Sequence, residues 1–469
     1  MISRNRTLSL IPILVLLLSC QTVMRVVEPT IPATHQQPTI VIHVLPSQTL
    51  QPTASLTTTI TIFPTAKKTS TPTLFKNLTS TPDVLFTPSQ IQLDIFEELW
   101  HLVNDEYLYA DFNGLDWNAV YEEYSERVKT GTSNEEFYLS MDEMIAQLGD
   151  DHSIYLSPDE AVEEDAQYSG NNNYVGIGVI ANAVPERDLA VIILSFPNSP
   201  ADIAGLKSHD IIEAVNGEPV IDEDGFIRDI IRGPEGSELT LTVQTPGETT
   251  RQVEITRRRI KGAIPVPYQV LTSPDGQHIG YLMLVTLGDR TIDEQVENAL
   301  RIMNNQKQLD GLIIDNRQNE GGADDVLMDT LSFFTEGSLG YFTSRDKERL
   351  LNIVGRDISG SQEIPLVLLI GKDTVSYGEI MSGVLKDNGR AYLIGETTSG
   401  NVETLWGYDF VDGSRAWIAH ESFRPYNHPE DDWEAIGILP HQIVLTNWYE
   451  FTIEQDPAVT AALSYFDGK

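Results

Sequence analysis

The chain has a single cysteine, Cys20, among 469 residues, so it can form neither an intrachain disulfide nor a cysteine-ligated metal centre. Basic side chains are also scarce. Lys and Arg number 31 against 69 Asp and Glu, a net charge of -38. Nucleic-acid binding needs a basic footprint that displaces counterions, and this balance excludes it. The deficit is uneven: residues 1–88 carry six basic and two acidic side chains, leaving 25 and 67 in residues 89–469, a net of -42 there. Lysine is absent between Lys386 and Lys469. No His-Glu-x-x-His or comparable metal-ligand spacing occurs, so no cofactor is expected, and His152, His420, His428 and His441 read as scattered histidines. What remains, 41% hydrophobic residues, is enough to build proper cores over two or three domains.

Arg4 and Arg6 precede an apolar stretch, Leu8 to Leu18, that is too short to span a bilayer comfortably but has the size of a signal-peptide h-region. It ends in Leu17-Leu18-Ser19-Cys20, which resembles the lipobox of bacterial lipoproteins. The resemblance implies export, removal of residues 1–19 and lipidation of Cys20, whose acyl chains would anchor the protein to a membrane. Residues 21–88 then hold 17 Thr and 9 Pro among 68 residues, with no lasting apolar period. Proline at that density forbids helices and central strands, so an extended tether is expected.

From Ser89 the pattern turns helical. Ile91, Ile95, Leu99 and Leu102 share one face, a second helix runs near Trp117 to Val128, and a third starts at a capping-box-like Thr132-Ser133-Asn134-Glu135. The third ends at Gly149, before Asp150-Asp151-His152-Ser153. Two carboxylates beside His152 favour its imidazolium.

Residues 171–260 read as short strands and turns. Val175-Gly176-Ile177-Gly178-Val179 opens them, Ser199-Pro200-Ala201-Asp202-Ile203-Ala204-Gly205-Leu206 follows, and then Asp210 to Gly217 ends in Asn-Gly. This order resembles a PDZ domain. The resemblance implies that Gly176, Ile177, Gly178 and Val179 hold the C-terminal carboxylate of a peptide that adds as a strand beside them.

Residues 261–469 alternate strands with helices. Apolar strand runs fall at Ile279 to Val285, Leu312 to Asp315, Pro365 to Ile370 and Ala391 to Gly395. Helices are expected at Ile292 to Asn304, Asp324 to Phe334 and Gly378 to Asn388. The alternation predicts an α/β core with largely parallel strands, whose sites lie where strands end and helices begin. One such junction, Asp315 to Gly322, ends in paired glycines able to turn amides toward a developing oxyanion. Another, Thr374-Val375-Ser376-Tyr377-Gly378-Glu379, places a serine at a helix start, where it is either an N-cap or a nucleophile on the positive end of the helix dipole.

From Phe96 onward the arrangement resembles the S41 peptidases, the C-terminal processing proteases and their tricorn-core relatives. The motifs that carry it are Leu148-Gly-Asp-Asp-His-Ser-Ile-Tyr-Leu156, the Asp315-to-Gly322 turn, Ser376-Tyr-Gly-Glu379 and Gly437-Ile-Leu-Pro440. The resemblance implies an α+β multidomain chain: an N-terminal helical segment (89–170), a PDZ-like β module (171–260) and an α/β, ClpP/crotonase-like peptidase core (261–469). It makes Ser376 the nucleophile, with amides of Tyr377 and of Gly321 or Gly322 as the oxyanion hole. The substrates implied are extracytoplasmic polypeptides with free C-termini.

One position departs from the family. Processing proteases activate the serine with a lysine in a Phe-Gly-Lys-Gly-type loop, and here the loop reads Thr398-Ser399-Gly400-Asn401-Val402-Glu403. A neutral amide cannot take the serine proton, so a Ser–Lys dyad is excluded. The tricorn pattern supplies another base: His152, with Glu434 and Ser153 in support. Glu403 and Glu379 are rivals for the carboxylate and His420 for the base. The competing class is a catalytically inactive lipid-anchored PDZ adaptor.

Overall fold

The computed structural model describes residues 89–150 and 152–467. The signal, Cys20, the Thr/Pro-rich stretch and Asp151 lie outside the described residues. No helix among the described residues is long and apolar enough to cross a membrane.

Three helices open the fold: Gln90–Glu106, Trp117–Thr130 and Asn134–Ala146. The third begins with a true capping box, Ser133 with Glu136, and the second is capped by Asp116. Ile91 is not on the buried face as expected. It is 52% exposed, and the seam instead runs through Ile95, Phe96, Leu99 and Val103. In that first turn Gln92 takes the inward place, its Nε2 donating to Asn134 Oδ1 at 3.1 Å, and Ile91 faces away. These helices pack on an antiparallel sheet that has no counterpart in the periodicity of any one segment. Its central strand, Arg415–Pro425, pairs with Ile154–Leu156, Thr404–Asp409 and Gly337–Thr343. Phe137, Met141, Met144 and Tyr155 meet Phe410, Ala416, Ile418 and Ala419 in the core between them. This strand therefore carries the His152 segment onto the peptidase core.

The PDZ-type sheet takes the order Val179–Val184, Leu189–Ser195, Ile211–Val215, Glu238–Gln244, Arg251–Thr256, all antiparallel. Its first strand is at the edge, with a free side. Asn172–Gly176 and Arg258–Gly262 pair at the base of the module.

The core sheet has six strands: Tyr268–Thr272, His278–Met283, Gly311–Asp315, Leu366–Ile370, Ala391–Gly395 and Gln442–Ile443. The first pair is antiparallel and the rest are parallel. Both faces are covered, which explains why the strands read as unbroken apolar runs. Leu312, Ile314, Leu366 and Leu368 pack against the helices Ile292–Gln306, Asp324–Ser332 and Tyr377–Asp387. Ile313, Val367 and Leu369 face the C-terminal helix Pro457–Phe466, which the motif reading did not single out. Asp456 caps that helix and, with Asp315, clamps the fully buried Arg317 guanidinium: Arg317 Nη2 lies 2.6 Å from Asp315 and 2.5 Å from Asp456. The clamp fixes the strand end from which the glycine turn departs.

Candidate active site

Ser376 precedes the helix Tyr377–Asp387 and has φ +54° and ψ -129°, a conformation that L-residues avoid. Its side chain does not cap the helix and makes no hydrogen bond among the described residues. The N-cap alternative is thereby set aside, and the strained turn presents the hydroxyl instead. Two buried asparagines hold this turn against the glycine turn. Asn316 Nδ2 donates to the Gly378 carbonyl and to Ser382 Oγ, both at 2.8 Å, and Val375 N–H donates to the Asn319 carbonyl at 3.0 Å.

The glycines meet the serine closely. A Cβ on Gly321, whose φ is +86°, would stand 2.6 Å from Ser376 Cβ and 3.0 Å from the Tyr377 nitrogen. One on Gly322 would overlap the Leu287–Gly288 backbone at 2.1 Å. Their amides differ. Gly321 N–H donates to Asn319 Oδ1 at 2.9 Å and is engaged, whereas Gly322 and Tyr377 amides have no partner among the described residues. Gly321→Ala is expected to lower turnover on the order of 10²-fold, the scale of a lost oxyanion donor, because the new methyl group displaces Ser376. Steady-state kinetics with a circular-dichroism control checks this. Unchanged turnover would show that the turn does not bear on Ser376.

His152 approaches from the other side. Asp150 accepts from the backbone N–H of His152 and Ser153 and from Ser153 Oγ, the last at 2.8 Å. Ser153 Oγ also accepts from Ala419 N–H at 3.0 Å, so its hydroxyl fastens the His152 loop to the long strand. His152 Nε2 lies 3.5 Å from Glu434 Oε1 and 3.9 Å from Glu403 Oε2. No hydrogen bond joins His152 to Ser376. The two are linked through the 398–403 loop: Ser376 N–H donates to the Asn401 carbonyl at 2.7 Å, and Glu434 Oε2 accepts from Val402 N–H at 2.7 Å. Asn401, the residue expected at the lysine position of the processing proteases, is thus backbone-bonded to Ser376.

The electrostatics separate the rival carboxylates. Burial pulls the His152 pKa down, but Glu434, Glu403 and Asp150 outweigh it and the net shift is upward. Burial pushes Glu403 up, the Tyr109 hydroxyl that donates to it pulls down, and Glu434's charge adds to the rise, leaving its pKa at about 7. Glu379 is buried in the first helical turn and accepts from Thr398 Oγ1 and the amides of Gly400 and Asn401. It anchors the loop and does not reach His152. His420 is held by the Glu106 carbonyl at 3.0 Å and lies against Trp406. His428 pairs with Asp387, and His441 accepts from Leu393 N–H. The only His-carboxylate group of metal-ligand type among the described residues is His152, Glu403 and Glu434. Tyr109 was missed because its role depends on a contact 294 residues away, which no local pattern encodes.

In the PDZ module, Gly178 has φ +79° and its carbonyl accepts from Phe196 N–H and Ser199 Oγ. The Ile177 carbonyl accepts from Ala201 N–H. The Ile177 and Gly178 amides have no partner among the described residues. A cavity of about 1800 Å³ is lined by Gly176 to Ala181 and also by Glu320 to Gly322 and Tyr377, so one space joins the PDZ loop to the glycine turn.

Comparison with known proteins agrees with this layout. Residues 278–444 match the model of peptidase family S41, residues 92–146 the tricorn protease C1 domain and residues 196–245 a PDZ domain. A carboxyl-terminal-processing protease of Synechocystis sp. is 29% identical over 400 residues, 83% of this chain and 90% of that one. Carboxyl-terminal-processing peptidase 2, chloroplastic, of Arabidopsis thaliana is 27% identical over 74% of this chain and 67% of its own. Among solved structures, a photosystem II D1 C-terminal processing protease superposes with a TM-score of 0.55 at 24% identity, covering 80% of this chain and 97% of that one. At that identity the superposition shows the shared fold: helical N-terminal region, PDZ domain and α/β core. The chain is thus similar to peptidase family S41 over residues 278–444, and to carboxyl-terminal-processing peptidases over most of its length.

Proposed function

We propose that the chain is a serine endopeptidase that recognises the C-terminal tails of extracytoplasmic polypeptides, with Ser376 as nucleophile and His152 as base. The observation that carries this reading is the strained Ser376, unbonded at its hydroxyl, packed on Gly321 beside two free amides. With His152 Nε2–H facing Glu434, Nδ1 is the nitrogen left to accept the serine proton. Ser376 Oγ then attacks the scissile carbonyl, and the oxyanion is received by the Tyr377 and Gly322 amides. His152 returns the proton to the leaving amine as the C–N bond breaks, and water repeats the sequence on the acyl-enzyme. Glu434 and Glu403 stabilise the imidazolium formed in each half. Ser153 supports the base by position only. Catalytic hydrogen bonds are often long before substrate binds, which suits the absence of a Ser376–His152 bond.

The free edge of Val179–Val184 and the unpartnered Ile177 and Gly178 amides suit a peptide ending in a carboxylate. Matched peptides with free and amidated C-termini test this. The free-tail peptide should be cleaved with a KM at least roughly tenfold lower, a difference of about 1.4 kcal/mol. Equal kinetics would remove tail recognition. Tail binding with no cleavage of either peptide would instead indicate the lipid-anchored adaptor.

Export and anchoring through Cys20 belong to the same proposal, because the lipobox-like Leu17-Leu18-Ser19-Cys20 precedes a long Thr/Pro-rich stretch. Cys20→Ser should move the protein from the membrane to the soluble fraction. Retention in the membrane fraction would contradict it.

A further inference from the structure

The cluster tied to Ser376 through the 398–403 loop offers a second chemistry. His152 Nε2, Glu403 Oε2 and Glu434 Oε1 converge where the 398–403 loop meets the His152 loop, and one ligand atom from each residue falls within 4.8 Å of the others. The His152 and Glu403 side chains are only 5% and 3% exposed. Each carboxylate is fixed through one oxygen and presents the other. Glu403 Oε1 accepts from Tyr109 Oη, while Glu434 Oε2 accepts from the amides of Val402 and Glu403. Glu403 Oε2 is buried without a hydrogen-bond partner among the described residues and points toward the imidazole. A buried carboxylate oxygen left unsatisfied is costly, and it marks a place where a positive ligand is wanted.

We propose that His152, Glu403 and Glu434 bind one zinc-class divalent ion, and that its occupancy switches the peptidase off. The binding stands on the cluster alone; the switching rests on the reading of His152 as the base.

Tetrahedral zinc with nitrogen and oxygen ligands at about 2.0–2.2 Å sets neighbouring donors about 3.3–3.5 Å apart. The two His152–carboxylate separations, 3.5 and 3.9 Å, lie close to that range, and the carboxylate pair falls within 4.8 Å, so side-chain adjustment would draw the three donors onto one ion. One imidazole and two carboxylates leave a fourth position for water. An imidazole nitrogen in a site this small disfavours calcium, which takes six to eight oxygens, and magnesium, which demands an oxygen octahedron. The Tyr109 hydroxyl and the loop amides supply the outer hydrogen bonds that orient ligating carboxylates.

The proton count explains the switch. A metal on Nε2 uses that nitrogen's lone pair: the neutral ring binds it by shifting its single proton from Nε2 to Nδ1, and the imidazolium by losing one of its two protons to solvent. The remaining ring proton must then sit on Nδ1, which becomes a donor and cannot accept the proton of Ser376 Oγ.

The test uses the full-length chain carrying Ser376→Ala, in chelator-free buffer, titrated calorimetrically with Zn²⁺. One ion per chain is expected, with Mg²⁺ failing to compete. Co²⁺ should give the visible bands of a four- or five-coordinate site. Glu403→Gln, which keeps the side-chain shape, and His152→Ala should each weaken zinc binding more than roughly 100-fold. Tyr109→Phe should weaken it by about 10-fold. Circular dichroism confirms that each variant is folded. No zinc binding, or binding unchanged in folded His152→Ala and Glu403→Gln, overturns the site. In the wild-type chain, zinc should suppress peptide cleavage and a chelator should restore it. Binding at these residues with undiminished cleavage overturns the switch. Binding at these residues in a chain that cleaves nothing even after chelation upholds the metal site and overturns the peptidase reading instead.

Discussion

Replacing Ser376 with alanine should lower peptide hydrolysis on the order of 10⁴-fold or more while leaving the fold and its melting temperature unchanged. The two halves of that result have separate causes. Activity falls because the oxygen that attacks the carbonyl is gone, and only binding and the oxyanion amides remain to act on a water. Stability is retained because Ser376 Oγ makes no hydrogen bond among the described residues, so its removal leaves no partner there unpaired. The backbone contact that holds the turn, Ser376 N–H to the Asn401 carbonyl at 2.7 Å, survives the substitution. The backbone strain at φ +54° also survives, since alanine has a Cβ as serine does. A variant that keeps full activity would remove Ser376 from the chemistry.

His152→Ala should cost about 10³- to 10⁴-fold, close to the loss from removing the nucleophile, because residues that act as a unit fail together. Asn401→Ala should cost far less, since that residue's hydrogen bonds among the described residues are backbone ones, to Ser376 and Glu379. The pH profile separates a base from a structural histidine. A base works only when neutral, so kcat/KM falls below its pKa. The carboxylates around His152 raise that pKa above the ordinary 6.5, so the acid limb of wild-type activity should have its midpoint above pH 6.5. Glu403, at about 7, titrates in the same window, and its ionisation further favours the imidazolium, so the limb should be broad. Residual activity in His152→Ala should lack that limb. A flat profile in the wild type, or an unshifted limb in the variant, would assign the role elsewhere.

The core strands and crossover helices were legible because burial on both faces leaves long apolar runs, which local patterning records. Ser376, the glycine turn and the His152 motif were legible because strand–helix junctions expose chemistry-bearing residues in short, contiguous stretches. Long-range contacts were less visible. The long strand Arg415–Pro425 alternates buried and half-buried residues, and nothing local shows that Ile154–Leu156 pairs with it to bring His152 to the core. The Arg317 clamp needs Asp456, which is 139 residues away in sequence. Which carboxylate meets His152 was open among Glu434, Glu403 and Glu379, because the choice depends on how one loop folds over the serine helix. The structure brings the first two to the imidazole and commits Glu379 to the loop amides. The Gly321 and Gly322 amides differ likewise in hydrogen-bond occupancy, which no local pattern records: Asn319 engages Gly321, and the Gly322 amide has no partner among the described residues.

The most direct measurement is covalent labelling of the full-length protein with a fluorophosphonate at pH 8, the adduct mapped by mass spectrometry, alongside Ser376→Ala and His152→Ala. The account predicts one adduct, on Ser376, absent from the alanine variant and strongly slowed without His152. A folded wild-type chain that takes no label, or takes it elsewhere, would contradict a lysine-free Ser376–His152 peptidase.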